Sequence, residues 1–337
     1  MVKKKVIIFG AGERYLRYKD VIKSEYEVIG VCDNDYKKLE LCKGAGDNTI
    51  SPNEIGNLCQ NDEDIYIYIS TIPKYRYEIM KQLLGMGIKA DKICFAMPDW
   101  MDRCESVEVV ENGLKICIND VKILLTNETE EMICSEIFIM DDYNINMSSD
   151  SIVIDIGLNV GLASLFFAKK GYVKKVFGFE PDERVLEKAL INISMNKDLE
   201  NKIETFNLAC SCENKKEIYT VHPIASAGIH KVREGEAGNT EVVTVNCVDS
   251  AETLGEIIDK YFEKTNIIVK CDCEGAEYEI LPRLEETGYM RKIDAFVMEW
   301  HLDRRKEIEE FFERNGYIYM INTTRGRRFG KCYAIRK

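Results

Sequence analysis

Several apolar runs in the second half of the chain stop on an acid, and the residues around each acid could do chemistry. In VIDIGLNVG the run ends at Asp155, and Gly157 and Gly161 bracket a tight turn into the apolar stretch LASLFFA. A turn without Cβ atoms lets the backbone approach a ligand closely, and the helix that follows offers unpaired N–H groups. An acid there suits a ligand carrying positive charge or donor groups better than a pyrophosphate. In GFEP the run ends at Glu180, nineteen residues after Gly161. An acid at the tip of a second strand can accept from both ribose hydroxyls of a nucleoside. In KCDCEGAEYEIL the acid is Asp272, between Cys271 and Cys273. FVMEWH adds Glu299 and His301, two residues apart and so projecting the same way on a strand. A neutral imidazole with pKa near ~6.5 is suited to taking a proton at neutral pH. Asp272 and Glu299 could instead hold a divalent cation that lowers the pKa of an acceptor hydroxyl. A third reading has His301 capping the helical stretch LDRRKEIEEFFERNG, and all three stay open.

The elements that must position these residues follow from the spacing of apolar runs. SIVIDIG, VFGFEP, IETFNLA, NIIVKCDCEG and AFVMEWH are strand-like and separated by helical patterns such as DERVLEKALINISMN, which predicts a parallel sheet. Ligands of open α/β sheets lie beyond the carboxyl ends of the strands, so Asp155, Glu180 and Asp272 are expected to border one crevice. Pro181 and Asp182 start the helix after the second strand. GYIYMI and KCYAIRK, joined by a short polar turn, are expected to form an antiparallel hairpin at the edge. Cys271 and Cys273 are expected to be buried thiols, because a zinc site would need further ligands at metal spacing and the nearest histidines are His230 and His301. Glu277 and Glu279 are expected in solvent on the first turn of a helix. Glu274, next to Gly275, could face a substrate.

VIDIGLNVG, GFEP, NISMN, NLACS, VNCVDS and KCDCEGAEYEIL occur in an order and spacing that resemble the FkbM-type S-adenosylmethionine-dependent methyltransferases over residues 150–301. The resemblance implies a class I methyltransferase sheet with S-adenosylmethionine as cofactor. It places Asp155, Gly157, Asn159, Gly161, Glu180, Pro181, Ala209 and Asp272 at the cofactor, with Asp272 bordering the transfer centre, for which the residues themselves offer Glu299 and His301 as further catalytic candidates. It also implies a hydroxyl acceptor on a small or sugar-containing molecule. No metal is counted among the resident groups.

Residues 1–98 also alternate strand and helix. FGAGERY offers Gly10 and Gly12 but has Tyr15 where the third glycine of a dinucleotide fingerprint would stand, and Asp33 in VCDND lies where a ribose-binding acid would. The segment resembles the small Rossmann-like domains that precede nucleotide-sugar-modifying enzymes. That likeness implies a nucleotide site at Gly10, Gly12 and Asp33, with no ligand as the equal alternative. Residues 99–148 contain VEVVENGLKICIND, a hairpin signal around Asn-Gly, and are expected to form a linker and small β cap before a methyltransferase domain at 149–337. The fold expected is thus α/β, with two Rossmann-like domains.

Composition narrows the rest. In 337 residues, 45% apolar and 31% charged, no apolar run approaches a membrane span, and "VIIF" is cut short before it could serve a signal peptide. Thirteen scattered cysteines in strand-like runs suit a reducing cytoplasm. A net charge of −12 argues against nucleic acid. His222 and His230 flank a loop, and Arg325, Arg327 and Arg328 sit in a turn where an anionic substrate could be met. The chain is therefore expected to be a cytoplasmic O-methyltransferase with a small-molecule or saccharide acceptor, in a form that could include a homodimer. The competing readings are a nicotinamide-dependent oxidoreductase run by the first domain and a non-catalytic nucleotide-sugar sensor.

Overall fold

The computed structural model describes residues 3–71, 73–95, 103–111, 113–221, 230–231, 241–323 and 328–337. Two compact units divide at residues 140 and 141.

The first unit opens with β1 (Lys5–Phe9), α1 (Glu13–Glu25), β2 (Glu27–Cys32), α2 (Tyr36–Gly44), α3 (Pro52–Asn61), β3 (Ile65–Ile69), α4 (Pro73–Gly85) and β4 (Ile93–Phe95). Helical crossovers between short apolar strands leave the strands parallel, and they order as β2-β1-β3-β4. Tyr15 packs fully buried among Val6, Ile8, Val31 and Cys42. It is a core residue in the place a third glycine would have left open. Then β5 (Cys104–Val110), β6 (Gly113–Ile118) and β7 (Val121–Leu125) form an antiparallel sheet whose first turn closes at Val110 opposite Gly113, as the Asn-Gly signal predicts. α5 (Glu128–Phe138) packs on α4, with Arg76 Nη1 3.6 Å from Glu131 Oε1, and these strands fall within the first unit.

The second unit carries β8 (Ser151–Ile156), α6 (Leu162–Lys169), β9 (Val173–Phe179), α7 (Glu183–Ser194), α8 (Lys197–Glu200), β10 (Ile203–Phe206), β11 (Ala209–Ser211), β12 (Lys215–Val221), β13 (His230–Lys231) and β14 (Glu241–Asp249). It continues through α9 (Ser250–Tyr261), β15 (Asn266–Cys271), α10 (Glu277–Glu286), β16 (Ala295–Trp300), α11 (Arg305–Arg314), β17 (Tyr317–Ile321) and β18 (Gly330–Arg336). The main sheet orders as β10-β9-β8-β15-β16-β18-β17, six strands running the same way and β18 alone opposed to its neighbours β16 and β17. β8 lies inside it, between β9 and β15, with all six residues buried, as a strand covered on both faces must be. The strand order reverses between β8 and β15, the kind of switch point beyond whose carboxyl ends open α/β sheets hold their ligands in a crevice.

IETFNLA is not the single strand its composition predicts. It breaks after Phe206 because the Asn207 amide donates to the carbonyls of Glu180 (2.9 Å) and Pro181 (3.1 Å), turning the chain at the tip of β9. Ala209–Ser211 then leaves the main sheet for a second one, ordered β11-β14-β12-β13, that the sequence reading did not anticipate. Among the described residues no helix is long and apolar enough to cross a membrane.

Candidate active site

The crevice is built around Gly157. Its φ is +84°, and a Cβ there would overlap the Asp272 carbonyl oxygen, so only glycine lets the β8 turn lie this close to the end of β15. Gly161, at φ +83°, is the N-cap of α6, and a Cβ there would stand 3.3 Å from that of Ala189. Between them Asn159, itself at φ +52°, donates its backbone N–H to Glu180 Oε2 at 2.9 Å. The other oxygen of Glu180 accepts from the N–H of Asp182 at 3.0 Å, and the Asp182 side chain caps α7 as its position predicts. Burial pushes the Glu180 carboxyl up to about 7 against the pull of these two backbone bonds.

Asp155 lies beneath the crevice rather than on its wall. It is fully buried, with Oδ1 3.0 Å from Lys270 Nζ and Oδ2 accepting from Ser164 Oγ at 2.6 Å. Lys270 stands beside it because the parallel register of β15 on β8 pairs the two residues directly. The same ammonium donates to the carbonyl of Gly157 and so holds the turn from below. Burial lowers the Lys270 pKa, but Asp155 and Asp272 outweigh it and raise the pKa above its ordinary value. Lys270 escaped the sequence reading, and its signal was the alternation that puts it on the same face as Asp272, two residues on. Pro181 follows Glu180 at the tip of β9, and Ala209 is buried at the start of β11.

A second group gathers just past β15 and β16. Asp272 Oδ2 accepts from Tyr143 Oη at 2.7 Å. Its Oδ1 lies 3.8 Å from His301 Nε2, which also has Glu299 Oε1 at 3.6 Å and Glu274 Oε2 at 3.8 Å. Glu299 Oε2 is 2.5 Å from Lys331 Nζ, its cross-strand neighbour on β18. Behind the imidazole, Glu277 Oε1 is 2.9 Å from Nδ1 and accepts the His301 backbone N–H at 2.9 Å, while Oε2 accepts from Gly275 at 2.9 Å. Glu277 is fully buried, which corrects the expectation of a solvated first-turn acid. Its carboxylate is drawn under His301 because Gly275, at φ +108°, folds the start of α10 toward the end of β16.

These neighbours also correct the protonation expected for His301. Burial favours the neutral ring, yet the Glu277 hydrogen bond and the charges of Glu277, Asp272 and Glu274 drive the pKa up to about 9. At neutral pH the ring is therefore cationic in this arrangement, not the neutral base its ordinary pKa predicts. Burial tends to raise Asp272, but Lys270, Lys331 and His301 prevail and hold it below the usual carboxylate range. Burial raises both Glu274 and Glu299. His301 does not cap the following helix, since Arg304 holds the N-cap position of α11.

The remaining candidates fall apart from this group. Cys271 is buried, and Cys273 lies 3.5 Å from it, sulfur to sulfur. Arg328 pairs weakly with Asp303 at 4.0 Å, while His222, Arg325 and Arg327 lie outside the described residues, and His230 begins the short strand β13. In the first unit Gly10 is at φ +114° under the Ser70 carbonyl, Gly12 is the N-cap of α1, and Asp33 accepts from Ala11 and Asp35 backbone N–H groups, each at 2.8 Å.

Residues 155–319 match the family described as Methyltransferase FkbM domain, and residues 2–94 match C2185-like, N-terminal. Methyltransferase sdnD of Sordaria araneosa is 24% identical over 218 residues, covering 56% of this chain and 82% of sdnD. The AMB antimetabolite synthetase AmbE of Pseudomonas aeruginosa is 23% identical over 253 residues, which cover 62% of this chain. The chain spans only 12% of the length of AmbE. Among solved structures, a methyltransferase FkbM from Methylobacillus flagellatus KT is similar at 12% identity over 99% of this chain and 90% of its own, with a TM-score of 0.38 that is too low to carry an argument.

Proposed function

Residues 155–319 belong to the FkbM methyltransferase family, with S-adenosylmethionine as methyl donor, and from that premise we propose that this chain methylates a hydroxyl of a small-molecule or sugar-containing acceptor. The observation that carries the proposal is the placement of Glu180 and the Asp272 group at the carboxyl end of one parallel sheet, on either side of a turn that admits no Cβ. The residues fit a nucleoside sulfonium. Glu180 projects an acid, already aligned by two backbone N–H groups, to where ribose hydroxyls would donate. The Gly157–Gly161 turn leaves the backbone open to close approach, with Asn159 between them and Pro181 and Ala209 at neighbouring strand ends. Asp155 acts through Lys270, fixing the turn rather than touching the ligand.

Bound S-adenosylmethionine supplies an activated methyl group on sulfur. The chain's task is to align the acceptor oxygen with that methyl, which can be worth ~7–11 kcal/mol, and to take the hydroxyl proton as the oxygen–carbon bond forms. Asp272, Glu274, Glu299 and His301 are close enough to share protons, so that proton passes to the group as a unit and their titrations are coupled. His301 orients the acceptor through Nε2. The net charge of −12 favours an acceptor other than nucleic acid.

Calorimetric titration with S-adenosylmethionine, its demethylated product and NAD tests the cofactor. Binding of the first two and not of NAD is expected, and NAD binding alone would return the oxidoreductase reading. Mass spectrometry of hydroxylated metabolites and sugars incubated with the enzyme should give a product heavier by one methyl, held as a base-stable ether. A methyl found on nitrogen or carbon would overturn the hydroxyl assignment.

A further inference from the structure

The group around His301 has a second property that proton transfer does not require. Nε2 of this 8%-exposed histidine makes no hydrogen bond among the described residues, although three carboxylate oxygens stand around it at 3.6–3.8 Å. An imidazolium and a carboxylate free to pair would close to under ~3.2 Å. Here each side chain is instead held from its far side. Asp272 Oδ2 is bound by Tyr143, Glu299 Oε2 by Lys331, and His301 Nδ1 by Glu277. The three near atoms, Asp272 Oδ1, Glu299 Oε1 and His301 Nε2, are left facing one another. One ligand atom from each of these residues lies within 4.8 Å of the others. Donors on a four-coordinate ion at ~2.0–2.2 Å are separated by about 3.4 Å, so the two imidazole-to-carboxylate distances need only a few tenths of an ångström of closure, and the carboxylate pair about 1.4 Å at most.

We propose that Asp272, Glu299 and His301 bind one divalent transition-metal cation, with Glu274 as a fourth oxygen donor at the rim. Two carboxylates and an imidazole suit Mn²⁺ or Zn²⁺ better than Ca²⁺. Glu277 is the group behind the ligand: by accepting from Nδ1–H it keeps the ring proton on that side, so that when a cation displaces the proton from Nε2 the lone pair faces the cluster, as with a carboxylate behind a metal-binding histidine. A cation here would bind the acceptor oxygen and lower the hydroxyl pKa, which deepens the methyl-transfer reading and rests on it for that role alone. Binding itself does not depend on the reading.

The test uses the full chain, stripped with chelator and free of methyl donor. Mn²⁺ binding is followed by electron paramagnetic resonance and Zn²⁺ binding by equilibrium dialysis. One equivalent of cation is expected. His301→Gln and Glu299→Gln should each weaken it at least ~100-fold, and Glu277→Gln ~10–100-fold by freeing the ring. Circular dichroism and S-adenosylmethionine affinity, measured on every variant, show that the sheet and cofactor pocket persist. Wild-type binding no tighter than that of the His301→Gln, Glu299→Gln double variant overturns the metal site. Failure of the cofactor titration while Mn²⁺ still binds would instead strike the methyl-transfer reading and leave the cation site standing.

Discussion

The two units build the same strand–glycine–helix turn from different residues. Gly10 N–H donates to Cys32 O at 2.8 Å, and Gly157 N–H to Phe179 O at 3.1 Å. Ser70 N–H donates to Phe9 O at 2.8 Å, and Asp272 N–H to Ile156 O at 3.0 Å. Each turn is closed by an acid that accepts from the glycine loop and from the N–H two residues on: Asp33 from Ala11 and Asp35, Glu180 from Asn159 and Asp182. Both leading glycines have positive φ and lie under the carbonyl of the neighbouring strand end. This frame is therefore a property of parallel α/β folding and carries no activity by itself. The chemistry lies in what is mounted on it. Ser70 stands where the second unit has Asp272, and the registered pair Ile8 and Tyr68 stands where it has Asp155 and Lys270. Tyr15 fills the first unit's core just beyond the glycines.

The largest effect expected from this comparison is at the Ser70 and Asp272 positions. Asp272→Asn should slow methyl transfer ~10²–10⁴-fold, because it removes charge from the proton-accepting group. Ser70→Ala should leave turnover within about twofold. Steady-state kinetics on both variants decide it, and a comparable loss in Ser70→Ala would mean that the first unit takes part in the reaction. The next effect is on stability. Lys270→Met leaves the buried Asp155 unpaired and should cost ~3–5 kcal/mol. Adding Asp155→Ile gives the second unit the apolar character its counterpart already has, and should recover most of that loss in urea denaturation. A double variant as unstable as the single one would show that the ion pair is more than a replaceable filling of the sheet.

The frame was legible because it is encoded locally. Glycines at the turn, an acid at the next strand end and helical spacing between them all fall within about thirty residues. Lys270 was not recognised because its role depends on which strand lies beside β15. Tyr143 is 129 residues from the aspartate it binds, and Lys331 meets Glu299 only through the pairing of β18 with β16, so no spacing rule points to either. Glu277 misled because first-turn glutamates ordinarily face water, whereas the turn at Gly275 tucks this one under His301. The ordinary pKa of histidine misled for a related reason: the acids that raise it come from the segment after β15 and the first residue of α10, and they act only once the sheet has brought β15 beside β16.

The smallest predicted effect concerns the two acids that close the turns. Glu180 has its carboxyl raised from 4.5 to about 7 by burial. Between those values the folded chain keeps a proton that the unfolded chain has released, so the contribution of Glu180 to stability is present at low pH and is lost as pH rises through about 7. Ribose hydroxyls reverse the preference, since they donate to the ionised form. Affinity for S-adenosylmethionine should accordingly rise up to about tenfold per pH unit below 7 and level off above it. Calorimetry at about pH 6 and about pH 8 measures this slope. Glu180→Gln should flatten it, whereas Asp33→Asn, the same position in the other frame, should keep the wild-type dependence. A wild-type slope no steeper than that of Glu180→Gln would detach this carboxylate from the ribose and reduce it to a clasp on its own backbone.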